Sequence, residues 1–138
     1  MNRSINENLG KLILRVISSA LMLFHGTHKG FGSGLNFVKE VLDKKGLPEF
    51  LAYGVPVAEI IAPLFIILGV FTRISSGLIV FTMIITIYLV LGLGAFQLGE
   101  YGNLSGETNI LYLTCAVVIL LTGPGKYSLY KGNNNLVI

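Results

Sequence analysis

The chain has 138 residues, of which 53 % are hydrophobic and only 12 % are charged. A soluble domain carries about twice that charge, and a chain this small has too little interior to hide so much apolar surface from water. The net charge of +3 is spread around the ends of apolar segments. The composition therefore excludes a lone soluble globule, a disordered chain and a nucleic-acid module, and leaves an integral membrane protein with room for about four spans.

The first apolar segment runs from about Leu9 to His28 and carries Lys11, Arg15 and His25. Arg15 interrupts its apolar stretch and Leu23-Phe24-His25-Gly26 offers no small-x-small cleavage site, so an uncleaved span is expected rather than a signal peptide. Gly26-x-x-x-Gly30 matches the small-residue pattern of close helix packing, though at the interface end of the span. On a helical wheel Arg15, Ser18, Met22, His25 and Lys29 fall on one stripe, expected to face the bundle.

Gly30-Phe31-Gly32-Ser33-Gly34 reads as a flexible opening to the longest connection. Asn36 to Lys45 then places Phe37, Val38, Val41 and Leu42 on one face and Lys39, Glu40, Asp43 and Lys44 on the other. That pattern predicts a short amphipathic helix on the membrane surface, ended by Gly46 and Pro48.

The second span covers about Pro48 to Thr72, with Glu59 its only charge beyond Glu49. Pro63 cannot donate to the carbonyl of Glu59, and Pro56 likewise frees that of Ala52, so a kinked helix is expected beside the buried carboxylate. A tight turn at Gly69 to Arg73 makes spans two and three an antiparallel hairpin. Ile74 to Phe96 has no charge; its β-branched content suggests a strand in water, but the backbone must satisfy itself in lipid and a helix is expected. The fourth span, Glu107 to Gly123, is short and ends at Gly123-Pro124-Gly125, where the glycine turns the chain and the proline cannot continue it. The Asn133-Asn134-Asn135 tract lies in a polar tail.

The result is an all-α fold: a single domain over residues 1–138 forming a four-helix transmembrane bundle with a short interfacial helix in its first loop. With an even span count, one side holds Arg3, Lys11, Arg73, Lys126 and Lys131 against Glu7, and the other Lys29, Lys39, Lys44 and Lys45 against five carboxylates. The positive-inside rule places both termini in the cytoplasm.

Charges at bilayer depth are costly and normally face the bundle interior with a partner. Arg15 lies roughly 20 Å below the outer end of span one, and Glu59 roughly 17 Å below that of span two taken at Pro48, at about 1.5 Å per residue. The similar depths predict an Arg15–Glu59 ion pair, serving either as a structural register pin or as the lining of a polar cavity. At the outer end, His25 and Glu107 sit at matching depth. Tyr88 lies a little deeper, so Arg15, His25, Glu59, Tyr88 and Glu107 form the candidate ligand-binding set; the alternative for the outer residues is headgroup anchoring. No metal site is expected, because His25 and His28 share one helix and no third ligand has recognised spacing. The lone Cys115 allows no intrachain disulfide and reads as a packing residue.

Leu12-Ile13-Leu14-Arg15, Phe24-His25-Gly26-Thr27-His28-Lys29, Ala58-Glu59-Ile60, Leu68-Gly69-Val70-Phe71-Thr72-Arg73, Glu107 and Gly123-Pro124-Gly125-Lys126-Tyr127-Ser128-Leu129 together resemble the DoxX family of small four-helix bacterial membrane proteins. The chain departs from the family in having Tyr130 where an aspartate often follows Ser-Leu, and Ile87-Tyr88-Leu89 where many members carry a histidine. The resemblance implies a bacterial cytoplasmic-membrane protein linked to quinone-coupled sulfur oxidation, to quinone and catechol resistance, and to membrane oxidoreductase complexes. It suggests a small subunit that binds a quinone-like lipophilic molecule and supports a partner oxidoreductase. A non-catalytic accessory subunit of a larger membrane complex is the alternative, and a small-solute carrier would need oligomers. No cofactor-binding fingerprint is present, which argues against catalysis by this chain alone. The expected partners are the lipid bilayer and other membrane subunits or further copies of the chain, not nucleic acid.

Overall fold

A computed structural model describes residues 3–130. Lys131 and the Asn133-Asn134-Asn135 tract lie outside them. The described chain is helical, in five pieces: α1 (Arg3–Lys29), α2 (Ser33–Lys44), α3 (Glu49–Leu68), α4 (Thr72–Phe96) and α5 (Glu107–Thr122). Three of them, α1, α3 and α4, are long and apolar enough to cross a membrane, whereas α5 is a shorter apolar helix of 16 residues.

Burial is inverted relative to a soluble protein. Arg15, Ser19, Glu59, Thr72, Ser75, Ser76 and Asn109 are buried, while Ile13, Ile17, Phe24, Leu64, Ile74, Phe81, Leu111 and Leu121 face outward. Water would penalise that arrangement twice, through exposed apolar area and desolvated polar groups; lipid reverses the first penalty. The protein is a membrane protein by this criterion as well as by composition.

The core is a thin seam of Met22, Ala62, Ile66, Ile79, Met83, Ala116 and Ile119. α4 and α5 pack along their lengths, and α1 lies against both α3 and α5. Gly69 ends α3 in the left-handed conformation at φ 73, and Phe71 follows at φ 47. These two residues make the tight turn that the sequence predicts.

Two segments differ from expectation. α2 begins a turn earlier than Asn36 and takes in Gly34, which packs closely on the end of α1. A Cβ on Gly34 would stand 2.6 Å from the carbonyl oxygen of His28. α3 is not merely kinked: it starts as a 3-10 turn over Glu49–Tyr53, then forms a π-helical turn over Val57–Ile61, where the Ala62 N–H reaches back five residues to Val57. Pro56 and Pro63 bracket that turn, and both lack the donor that a regular α-helix requires there.

Candidate functional site

The helix register places the polar groups. α1 and α3 run antiparallel, and glycines set how closely they approach. A Cβ on Gly30 would meet the side chains of Ile60 at 3.2 Å and Pro56 at 3.4 Å. One turn deeper, a Cβ on Gly26 would lie 2.7 Å from both the carbonyl carbon and the Cβ of Glu59. The hydrogen on Gly26 that replaces this Cβ therefore points at the Glu59 carbonyl, the one that Pro63 leaves without its helical donor, in the manner of a weak Cα–H···O contact. The Gly26-x-x-x-Gly30 pattern, a weak signal in the sequence, is the crossing point of the two helices.

At the far end of the same pair, Gly69 meets Arg15: a Cβ on Gly69 would stand 2.7 Å from Arg15 Nη1. The expected Arg15–Glu59 pair is thus not formed. Equal depths follow only if the second span starts at Pro48, but residues 49–53 pack on α2, and α3 first meets α1 near Pro56. That eight-residue offset is about 12 Å at helical rise. It puts Glu59 beside Gly26 and Arg15 beside Gly69.

Arg15 instead clasps the segment after α5. Its guanidinium donates to the carbonyl of Pro124 at 2.6 Å and to that of Tyr127. Leu129 N–H donates to Leu68 O at 3.1 Å, and Lys126 N–H to Asn8 Oδ1 at 2.9 Å. Carbonyl oxygens at the end of a chain segment suit a fork of guanidinium donors. Among the described residues Arg15 forms no ion pair.

Glu59 has a different neighbour. Its side chain is 1 % exposed, and Lys29 Nζ stands 3.8 Å from one carboxylate oxygen, with the lysine side chain 30 % exposed at the C-terminal end of α1. Neither Glu59 oxygen has a hydrogen-bond partner, and His25 Nε2 is also buried without one. The His25 ring tilts against Tyr112 of α5, with centroids 5.8 Å apart, and Tyr112 is within electrostatic range of Glu59. His25, Lys29, Glu59 and Tyr112 thus form one cluster joining α1, α3 and α5. Buried polar atoms are nearly always hydrogen-bonded; the exceptions among the described residues are these three, Arg15 Nε and Thr72 Oγ1.

Of the residues singled out by the sequence, His25 and Glu59 meet in this cluster. Arg15 stands at the opposite pole. Tyr88 is 78 % exposed on α4. Glu107 is exposed at the first turn of α5, where it accepts a hydrogen bond from Leu104 N–H at 3.2 Å and suits the positive end of the helix dipole. Lys29 and Tyr112 complete the cluster. The signal for Lys29 was its place between the two packing glycines, on the inward stripe with His25. Beneath the cluster, a cavity lined by Ser18, Ser19, Met22, Tyr112, Cys115 and Ala116 has room for about one water. Among the described residues no group of three histidine, cysteine or carboxylate side chains could hold a metal ion.

Fold and burial together define a small helical membrane protein with one polar cluster near an end of the bundle. The model of the DoxX family matches residues 10–92, and the chain belongs to that family. The match takes in His25, Lys29 and Glu59 but stops before Tyr112. The chain is also 31 % identical over 139 residues to a protein of Bacillus subtilis (strain 168) named "Putative oxidoreductase CatD", covering 98 % of this chain and 96 % of that relative. No solved structure matches it significantly.

Proposed function

We propose that this protein is a multi-pass subunit of the bacterial cytoplasmic membrane that holds the headgroup of a quinone-like lipophilic molecule at the His25–Lys29–Glu59–Tyr112 cluster and supports a partner oxidoreductase. In this reading α5 is a fourth span, α2 lies on the outer surface, and both termini are cytoplasmic. Labelling of single cysteines placed at Ser4 and Ser33 from either side of the membrane tests that topology; equal labelling from one side refutes it.

The observation that carries the reading is the buried Glu59 carboxylate with both oxygens unpartnered, on the face of α3 that packs against α1 one residue from His25. The residues fit such a ligand. Lys29, and His25 in the tautomer protonated at Nε2, can donate to a ring carbonyl, while Glu59 accepts from a ring hydroxyl. The ligand supplies the reversible two-electron, two-proton chemistry; the chain supplies orientation and a dry, charged setting. The interior cavity is too small for a ring, so the headgroup would enter from the outer end, where Lys29 is partly exposed.

A second reading is favoured by that same small interior: an accessory subunit without chemistry, whose polar cluster only fixes helix packing. Purified protein in lipid nanodiscs separates the two. The ligand reading expects saturable micromolar binding of a short-chain quinone, weakened at least tenfold by His25→Ala, about 1.4 kcal/mol. Saturable binding unchanged by His25→Ala and Glu59→Gln moves the site elsewhere, and no binding leaves the accessory reading.

A further inference from the structure

The donor and acceptor inventory of the cluster is lopsided. As the carboxylate partner of Lys29, Glu59 presents acceptors only. Lys29 Nζ, at 3.8 Å, is beyond hydrogen-bond reach, so the ion pair leaves both oxygens empty. No other donor reaches them: the α1 neighbour across the crossing is Gly26, with no side chain, and Tyr112 has its ring against His25 rather than its hydroxyl on the carboxylate. His25 Nε2 can serve as either donor or acceptor, according to tautomer. Lys29 is the one fixed donor, and it sits at the partly exposed edge.

The two redox states of a quinone-like ring differ in the property that this inventory reads. The oxidised dione has carbonyl acceptors only. Set against Glu59, it opposes oxygen to oxygen and leaves the carboxylate as unsatisfied as before. The reduced dihydroxy ring brings two O–H donors, and O–H···O⁻ bonds are short and about twice as strong as neutral ones. Out of water, where the unpaired carboxylate is most costly, such donors gain the most.

We infer that the His25–Lys29–Glu59–Tyr112 cluster is selective for redox state: it holds the reduced, dihydroxy form of its ligand more tightly than the oxidised dione, and Glu59 is the residue that selects. This inference rests on the ligand reading above and adds to it which form of the ring is bound. It follows from two orphaned acceptors at a site whose single fixed donor is at the rim. A tenfold preference would raise the potential of the bound two-electron couple by about 30 mV.

The test is anaerobic calorimetric titration of the full chain in phosphatidylcholine nanodiscs with decylubiquinol and, separately, decylubiquinone, with empty nanodiscs subtracted. The expected result is at least tenfold tighter binding of the quinol. Glu59→Gln, whose amide can donate to a dione, is expected to bring the two affinities within threefold of each other. Glu59→Leu, which removes both acceptors without adding a donor, is likewise expected to bring the two affinities within threefold of each other, and it decides the matter should Glu59→Gln fail to fold. Equal affinities in the unaltered protein, tighter binding of the quinone, or a preference that survives Glu59→Gln overturns this inference alone. No binding of either form overturns the ligand reading and this inference with it.

Discussion

The crossing of α1 and α3 predicts the outcome of a single added methyl group. In Gly26→Ala the new Cβ lies 2.7 Å from the carbonyl carbon and the Cβ of Glu59, whereas carbon atoms pack at about 3.5–4.0 Å. The helices must part by about 1 Å, and no side-chain rotation relieves the contact, because both obstacles belong to the backbone or its first carbon. Overpacking of this kind costs about 1–3 kcal/mol. Replacing a helical glycine by alanine also restores about 0.5–1 kcal/mol of backbone entropy. Gly10 supplies the control, since it lies on the same helix and a Cβ there meets nothing within 4 Å. Gly10→Ala keeps the entropic gain without the clash, so the difference between the two variants isolates the contact and should be about 1–3 kcal/mol. Reversible unfolding in mixed detergent–lipid micelles, followed by circular dichroism, measures it. Gly26→Ala and Gly10→Ala of equal stability would refute the assigned crossing.

Arg15→Met should destabilise the protein by about 3 kcal/mol or more, because hydrogen bonds to a charged group contribute about 1.5–3 kcal/mol each and two are lost. Tryptic cleavage after Lys126 should accelerate in that variant, and unchanged protection would refute the clasp. A double-mutant cycle on Arg15→Met and Glu59→Gln should show coupling below about 0.5 kcal/mol, as for separated sites, whereas Lys29→Met with Glu59→Gln should couple more strongly. Substantial coupling of Arg15 to Glu59 would reinstate the pair that their similar counted depths suggest.

The membrane class, the apolar segments and their ends were legible because each rests on local chemistry: charge depletion, glycine turns and prolines without donors. Even the disturbed backbone around Glu59 was written in Pro56 and Pro63. Helix register was not legible, because it depends on where two helices first touch. Pro48 opens the apolar run, but Glu49 to Tyr53 are drawn aside to pack on α2, and nothing in the spacing of α3 announces that detour. Tyr88 and Glu107 illustrate a second limit. Lipid and core are both apolar, so an apolar helix such as α4 carries little information about which side faces inward. Arg15, His25 and Lys29 escaped this limit because α1 is polar enough to show a stripe. The family motifs were each visible in isolation. That Arg15, Leu68-Gly69 and Gly123 to Leu129 close on one another is a tertiary fact, created by the antiparallel pairing of α1 with α3 and the return of the chain after α5.

The Arg15 clasp has a consequence for the order in which the molecule can be assembled. Its two carbonyl acceptors lie 109 and 112 residues further along the chain. While the ribosome is still making α3, α4 and α5, the guanidinium in the first helix has neither of these acceptors. Only when Pro124 and Tyr127 have emerged can those two nitrogens of the guanidinium be satisfied. A single buried guanidinium thus ties the first helix of the bundle to the segment that follows its last described helix.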